Sequence, residues 1–271
     1  MQTENGHRAV IELRHHKAHA PRYSVRLPVL NCRKLSQDEA YFYLGDGPDS
    51  IRIRFHDYDE IYKRPGLYEQ IFYERLKCES PRRMAHWLET SVLESGGSLS
   101  ALRVLDLGAG NGMVGQALAQ VGVARLVGVD ILSEAKEATD RDRPGLYDSY
   151  YIGDLTIKDS PLIQEVSQWR FDCLTSVAAL GFGDIPTQAF INAYNLVDEG
   201  GWICFNIKET FLSEKDDTGF SILVRQILLS QRLELHRLVR YRHRYSIDGE
   251  PLFYYGIVGR KQGGPLPDCD V

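Results

Sequence analysis

The sequence predicts an α/β fold: a doubly wound, seven-stranded, mostly parallel sheet with an N-terminal β-hairpin and helical extension. Three observations predict it. Arg103 to Gly115, RVLDLGAGNGMVG, is a short apolar run, a glycine turn and the start of an amphipathic run, which is a buried strand turning into a helix. From there to Leu229, apolar strand-like runs alternate with helical ones. Two long runs then close the chain around Asp248-Gly249, a hairpin turn that reverses one strand.

The chain divides into an N-terminal extension over 1–60, a helical lid over 61–98, the sheet domain over 99–262 and a tail over 263–271. Arg14 to His19 holds three histidines but no carboxylate or cysteine at ligand spacing, so it is expected to be a solvated basic arm rather than a metal site. Tyr41 to Leu44 and the alternating Ile51 to Phe55 flank a Gly/Asp/Pro loop and form a hairpin. Packing, self-association and walling a pocket all remain open as its role. Leu67 to Leu76 is expected to be a helix with Leu67, Ile71, Phe72 and Leu76 on one stripe, beside Tyr62, Tyr68 and Tyr73. Ser80 is expected to cap the next helix, with Pro81 in its first turn and Met84, Trp87, Leu88 and Val92 on its apolar face.

In the sheet domain, Val114, Ala117, Leu118 and Val121 continue the first strand into a helix stopped by Gly122. Strands follow at Arg125 to Val129, Tyr150 to Gly153, Phe171 to Val177 and Trp202 to Ile207. Ser133 is expected to cap one intervening helix; others run from Pro186 to Val197 and from Phe220 to Leu229. The last two strands cover Leu233 to Tyr245 and Leu252 to Arg260.

The glycine turn points to a nucleotide-like ligand, because such sheets bind ligands across their strand ends. Met113-Val114 stands where a phosphate loop needs Lys-Ser/Thr. Gly110 to Gly115 fits the dinucleotide pattern GxGxxG, but Gly108 already begins the turn and Asp106 would repel a diphosphate. A ligand with an ammonium and a sulfonium suits that carboxylate, which makes S-adenosylmethionine the expected cofactor. Its amino-acid end is assigned to Asp106, directly or through water, and to the backbone of Gly108, Ala109, Gly110, Asn111 and Gly112. Asp130 lies 22 positions after Gly108 and takes the ribose, with Ile131 beside it. Asp154 and Leu155 take the adenine, Ala178 and Ala179 back the sulfonium, and Tyr62 and Tyr68 close over it. The small-residue loop Ala178 to Asp184 leaves room for an acceptor, and no Asn/Asp-Pro-Pro-Tyr is present, against methylation of base amino groups. A hydroxyl acceptor also needs a base, for which His56 is the first candidate and His86 the second. No metal is expected. A nicotinamide-dependent oxidoreductase and a non-catalytic nucleoside-binding module remain the alternatives.

Of 271 residues, 43% are hydrophobic and 25% charged, enough for a full core. A net charge of −5 gives no bulk attraction for nucleic acid, and no apolar run approaches the roughly 18 residues of a membrane span. The five cysteines lack CxxC spacing, and Cys173 and Cys204 sit in strand-like runs, which predicts packed, reduced thiols in a cytoplasmic protein. The expected partner is a small-molecule acceptor, with the chain a monomer or a homodimer through its N-terminal extension.

VLDLGAGNGMVGQALAQVG, LVGVDI, YIGDL, FDCLTSVAALGFGD and LVDEGGWICFNIKE together resemble the class I S-adenosylmethionine-dependent methyltransferases, from about Tyr62 to Arg260. The order Tyr62, Ser80-Pro81, Gly108 to Leu118, Gly145 to Tyr150 and Asp154-Leu155-Thr156 is similar to that of the small Williams–Beuren-region type methyltransferases. The resemblance implies a Rossmann-like methyltransferase fold and methyl transfer, without fixing the acceptor. The stretch up to Phe55 departs from it.

Overall fold

The structure is a computed structural model that describes residues 21–29, 35–212, 216 and 218–268. The histidines of 14–19, with Cys32 and Cys269, lie outside the described residues. The chain runs β1 (Val25–Arg26), β2 (Tyr41–Leu44), β3 (Ile51–Arg54), α1 (Tyr58–Tyr62), a π-helix (Glu69–Arg75) and α2 (Ser80–Glu94). The sheet domain follows as β4 (Arg103–Leu107), α3 (Met113–Gln120), β5 (Arg125–Asp130), α4 (Ser133–Asp142), β6 (Ser149–Ile152) and α5 (Pro161–Ser167). It ends with β7 (Phe171–Ser176), α6 (Thr187–Asn195), β8 (Val197–Lys208), α7 (Phe220–Leu229), β9 (Leu233–Tyr245) and β10 (Pro251–Lys261).

Seven strands form one sheet in the order β6-β5-β4-β7-β8-β10-β9. The first five pair in parallel, and β10 runs antiparallel to both β8 and β9. The order reverses at β4, with β5 on one side and β7 on the other, so a crevice opens at the C-terminal ends of β4 and β7. Alternation sorts the side chains into two layers. Val104, Cys173, Cys204 and Val258 pack with Met84, Leu88 and Leu118 of α2 and α3. Leu105, Leu174, Ile203 and Ile257 pack with Phe190 of α6 and Val224 and Ile227 of α7. Both faces are covered, which is why these strands read as continuous apolar runs. Cys173 and Cys204 are free and buried.

The N-terminal hairpin forms as expected, with β1 added to its edge through Val25–Leu44. Its apolar face (Val25, Phe42, Ile53, Phe55) is used against Ile61, Leu67, Ile71 and Phe72 of the lid. The lid is tied to the sheet domain by backbone hydrogen bonds from Tyr245 to Leu76 (2.8 Å) and from Glu79 to His243 (3.0 Å).

Three local expectations are corrected. The segment expected as an α-helix over Leu67 to Leu76 is a π-helix, marked by Leu76 N–H donating to the Ile71 carbonyl, five residues back. The apolar spacing explains it. Leu67, Ile71, Phe72 and Leu76 sit at offsets of four, five and nine, and nine residues of α-helix put Leu76 on the opposite face. A turn of roughly 4.4 residues, closed by i→i+5 bonds, returns all four to one buried stripe. Ser80 caps nothing: Glu79 holds the cap position of α2, and the Ser80 hydroxyl is drawn into a buried network with Tyr241 and His243, 2.6 Å from each. Ser133 does not cap α4 either, since its hydroxyl donates to Glu134.

Candidate active site

The crevice at the β4 end is built by the turn itself. The amides of Gly108 and Ala109 donate to the Val129 carbonyl of β5 at 2.9 and 3.2 Å, and that of Gly110 to Asp130 Oδ2 at 2.9 Å. Gly110 has φ +54, and a Cβ there would stand 2.6 Å from the Tyr62 hydroxyl. The lid tyrosine lies on the turn because residue 110 has no side chain.

Beneath Tyr62 and Tyr68 is a cavity of about 260 Å³, lined by Gly108, Ala109, Asn111, Ile131, Leu155, Ala178 and Ala179 among others. Asp130, Asp154 and Asp184 stand on its wall, and among the described residues no Lys or Arg lines it. That donor and acceptor set fits a nucleoside carrying an ammonium and a sulfonium and opposes a diphosphate. The electrostatic expectation therefore keeps its sign but changes its carrier. Asp106 is fully buried and off the cavity wall, its Oδ1 accepting from Thr175 (2.9 Å) and its Oδ2 from Tyr147 (2.7 Å). Burial pushes its carboxyl up to about 7. It falls on the same face of β4 as Val104, toward α2 and α3, and its hydrogen bonds go to Tyr147 and Thr175 rather than into the cavity.

Asp130 is mostly buried, which raises its carboxyl above the ordinary range against the lowering effect of its backbone donors. Its Oδ1 takes Leu132 N–H at 3.0 Å and its Oδ2 takes Gly110 N–H, leaving each oxygen a second lone pair. Asp154 follows the end of β6 by two residues, with Oδ1 accepting from Thr156 N–H at 2.7 Å. Asn111 donates to Glu69 of the π-helix at 3.0 Å. Gly110 and Gly112 shape the turn without lining the cavity.

The loop after β7 is held in an uncommon conformation. Ala178 and Phe182 have φ +59 and +55, each a left-handed state costing about 1–3 kcal/mol in a non-glycine residue. The fully buried Asn206 fixes it: its Oδ1 accepts from Ala178 N–H at 2.6 Å and its Nδ2 donates to Tyr241 at 2.6 Å. This loop carries Asp184 to His56, which follows β3, and His56 Nδ1 lies 3.0 Å from Asp184 Oδ2. Both line the cavity. The other histidine candidate is excluded by position. His86 is on the outward face of α2, 62% exposed, 3.5 Å from Glu89 and away from the cavity.

Sequence reasoning missed Asp184, Asn206, Tyr147 and Thr175. Asp184 had a signal, its place at the end of the small-residue loop. The other three act from behind the wall, and only the register of the sheet brings them there.

A protein-family model described as "Methyltransferase domain" matches residues 70–244, well over half of the chain. No curated protein sequence matches it. Among solved structures, the N-methyltransferase NodS from Bradyrhizobium japonicum WM9, in complex with S-adenosyl-L-homocysteine, is 16% identical over 77% of this chain and 98% of its own, with a TM-score of 0.50. The magnesium protoporphyrin IX methyltransferase ChlM from Synechocystis PCC 6803, with bound SAM, is 16% identical over 67% and 79%, with a TM-score of 0.47. A putative RNA methyltransferase from Pyrococcus horikoshii is 14% identical over 66% and 84%, with a TM-score of 0.45. The family-model match gives the methyltransferase class and leaves the narrower Williams–Beuren likeness as a resemblance. With its acid-walled crevice at the switch point of a seven-stranded sheet, the chain belongs to the methyltransferase-domain family and is a class I S-adenosylmethionine-dependent methyltransferase.

Proposed function

We propose that the enzyme transfers a methyl group to an oxygen or nitrogen of a small-molecule acceptor, releasing S-adenosylhomocysteine. The observation that carries this reading is the His56–Asp184 pair on the wall of a cavity that Tyr62 and Tyr68 also line. When bound, S-adenosylmethionine would supply an electrophilic methyl with a neutral thioether as its leaving group, so the acceptor needs only a free lone pair and a place for its proton. Asp130 accepts from the ribose hydroxyls, with Ile131 beside it. Asp154 accepts from the adenine amine, and Leu155 packs on the ring. Asn111 and the backbone at Gly108 and Ala109 hold the amino-acid end. Ala178 and Ala179 back the sulfonium, and Tyr62 and Tyr68 exclude water. Asp184 holds the proton on His56 Nδ1, which leaves Nε2 to take the proton the acceptor loses.

A macromolecular acceptor needs an open groove, and RNA favours a basic one. The net charge of −5 and an acidic, lidded cavity favour a small molecule. The test uses methyl-labelled S-adenosylmethionine with fractionated cell extract. Label is expected in the low-molecular-mass filtrate and absent from precipitated RNA and protein, and His56→Ala should reduce it roughly 10²- to 10⁴-fold. Label confined to RNA or protein would overturn the reading. A cytoplasmic location and a monomer or homodimer belong to the same proposal. Among the described residues, no helix is long and apolar enough to cross a membrane.

A further inference from the structure

Behind the loop after β7 lies a second cavity of about 30 Å³. It shares His56, Tyr58, Tyr68, Ala178, Ala179 and Asp184 with the main one. Its volume admits about two waters or one planar carboxylate group. Arg244, only 3% exposed, stands on its wall. The guanidinium donates from Nη1 to the Tyr245 carbonyl at 2.8 Å and lies 5.8 Å from the ring centroids of Phe55 and Phe72. Among the described residues, no carboxylate comes within ion-pairing distance of it. Its neighbours in chain and charge are different: Arg242 pairs with Glu79 at 2.9 Å and Arg143 with Glu69 at 2.7 Å. A buried charge without a counter-ion is costly, and folds seldom keep one without a use for it.

The Asp184 carboxylate shares this wall, but among the described residues neither it nor any other acid makes an ion pair with Arg244. Lys208 is half-buried nearby with its ammonium 5.1 Å from the Phe182 ring, and burial together with Arg244 lowers its affinity for a proton. His243 is kept uncharged by burial, Arg244 and Lys208. Asp184 is engaged by His56. Gln37 also lines this cavity, and its buried Oε1 has no hydrogen-bond partner.

We propose that Arg244 anchors a carboxylate of the methyl acceptor, which makes the acceptor a small carboxylic acid with an aromatic or apolar body. The proposal rests on the small-molecule reading above. The guanidinium fork matches a planar carboxylate with two parallel hydrogen bonds. The body extends into the larger cavity, where Tyr58 and Tyr68, which line both, supply apolar wall. The Gln37 Oε1 accepts an N–H or O–H of the same molecule, and its remaining oxygen or nitrogen faces His56 for methylation.

The test measures binding to protein saturated with S-adenosylhomocysteine, by calorimetry and thermal shift. The probes are benzoate, phenylacetate and 4-hydroxybenzoate, their uncharged amides, and inorganic phosphate. At least one acid should bind ten times more tightly than its amide and more tightly than phosphate. Arg244→Gln should erase that preference, and Arg244→Lys should keep part of it. Acids no better than their amides, phosphate binding best, or a preference that survives Arg244→Gln would overturn the proposal. Were the variant to lose its fold, the acid-to-amide comparison on the unaltered protein decides alone. Failure of S-adenosylhomocysteine itself to bind would strike the reading of the main cavity, whereas its binding without any acid preference would strike only this one.

Discussion

Gly110→Ala tests how the lid and the turn depend on each other. Two costs add at this position. The left-handed φ of +54 costs an L-residue roughly 1–2 kcal/mol. The new Cβ would also stand 2.6 Å from the Tyr62 hydroxyl, too close for any real contact, so the ring must shift. That ring is wedged between Tyr58 and Tyr68, with centroids 6.0 and 5.3 Å away, and repacking it costs about 1–3 kcal/mol. The single variant should therefore lose roughly 2–5 kcal/mol, with a lower melting temperature of about 2–4 °C per kcal/mol. Tyr62→Phe removes the clashing oxygen and leaves the ring carbon at 3.5 Å, an ordinary contact. The Tyr62 hydroxyl makes no hydrogen bond among the described residues, so this change alone should cost little. In Gly110→Ala/Tyr62→Phe the steric part should vanish, giving a favourable coupling of about 1–3 kcal/mol. Chemical unfolding of all four proteins, with S-adenosylhomocysteine titrations alongside, reads it. Effects that add within about 0.5 kcal/mol would refute the packing of Tyr62 on the turn.

Three further outcomes follow from the same geometry. Because burial lifts Asp106 to about 7 from an ordinary 3.8, the native state holds its proton more tightly than the unfolded chain. Its contribution to stability thus falls as pH climbs from about 4 to about 7, and Asp106→Asn should stabilise at pH 8 by an amount of order 4 kcal/mol at most, shrinking towards pH 4; urea unfolding across that range checks the sign. His56→Ala should reduce turnover while leaving S-adenosylhomocysteine affinity unchanged in calorimetry, and His86→Ala should change neither. Asn206→Leu frees the Ala178 amide and removes one of the two hydrogen-bond partners of the Tyr241 hydroxyl, so stability should drop by about 1–3 kcal/mol and turnover with it, measured by unfolding and methyl transfer.

Much of the fold was legible because its signals are local. The limits of α7, Phe220 to Leu229, and of β9, Leu233 to Tyr245, follow from periodicity and the Asp248-Gly249 turn. The two-residue β1 carries no pattern long enough to read, and it exists only because β2 offers an edge. In the π-helix the apolar offsets were visible, but reading them on a 3.6-residue turn concealed their meaning. Placement at the cavity was legible where it depends on position in a motif, as with Gly108, Asp130 and Asp154, all on the cavity wall. It was illegible where the role depends on direction. Asp106 sits in the motif, yet its face of β4 turns it to Tyr147 and Thr175. Ser80 has the sequence of a cap, but a buried triad outbids the helix end for its hydroxyl. The partner of His56 lies 128 residues along the chain.

The most direct measurement of the central claim, that the wall formed by Asp130, Asp154 and Asp184 selects a cationic amino-acid nucleoside, is a pair of calorimetric titrations. One uses S-adenosylmethionine and the other NADH, each against the unaltered protein and Asp130→Asn. The account predicts one molecule of S-adenosylmethionine bound per chain, weakened about ten- to a hundredfold by the substitution, and no heat from NADH. NADH binding while S-adenosylmethionine does not would contradict it.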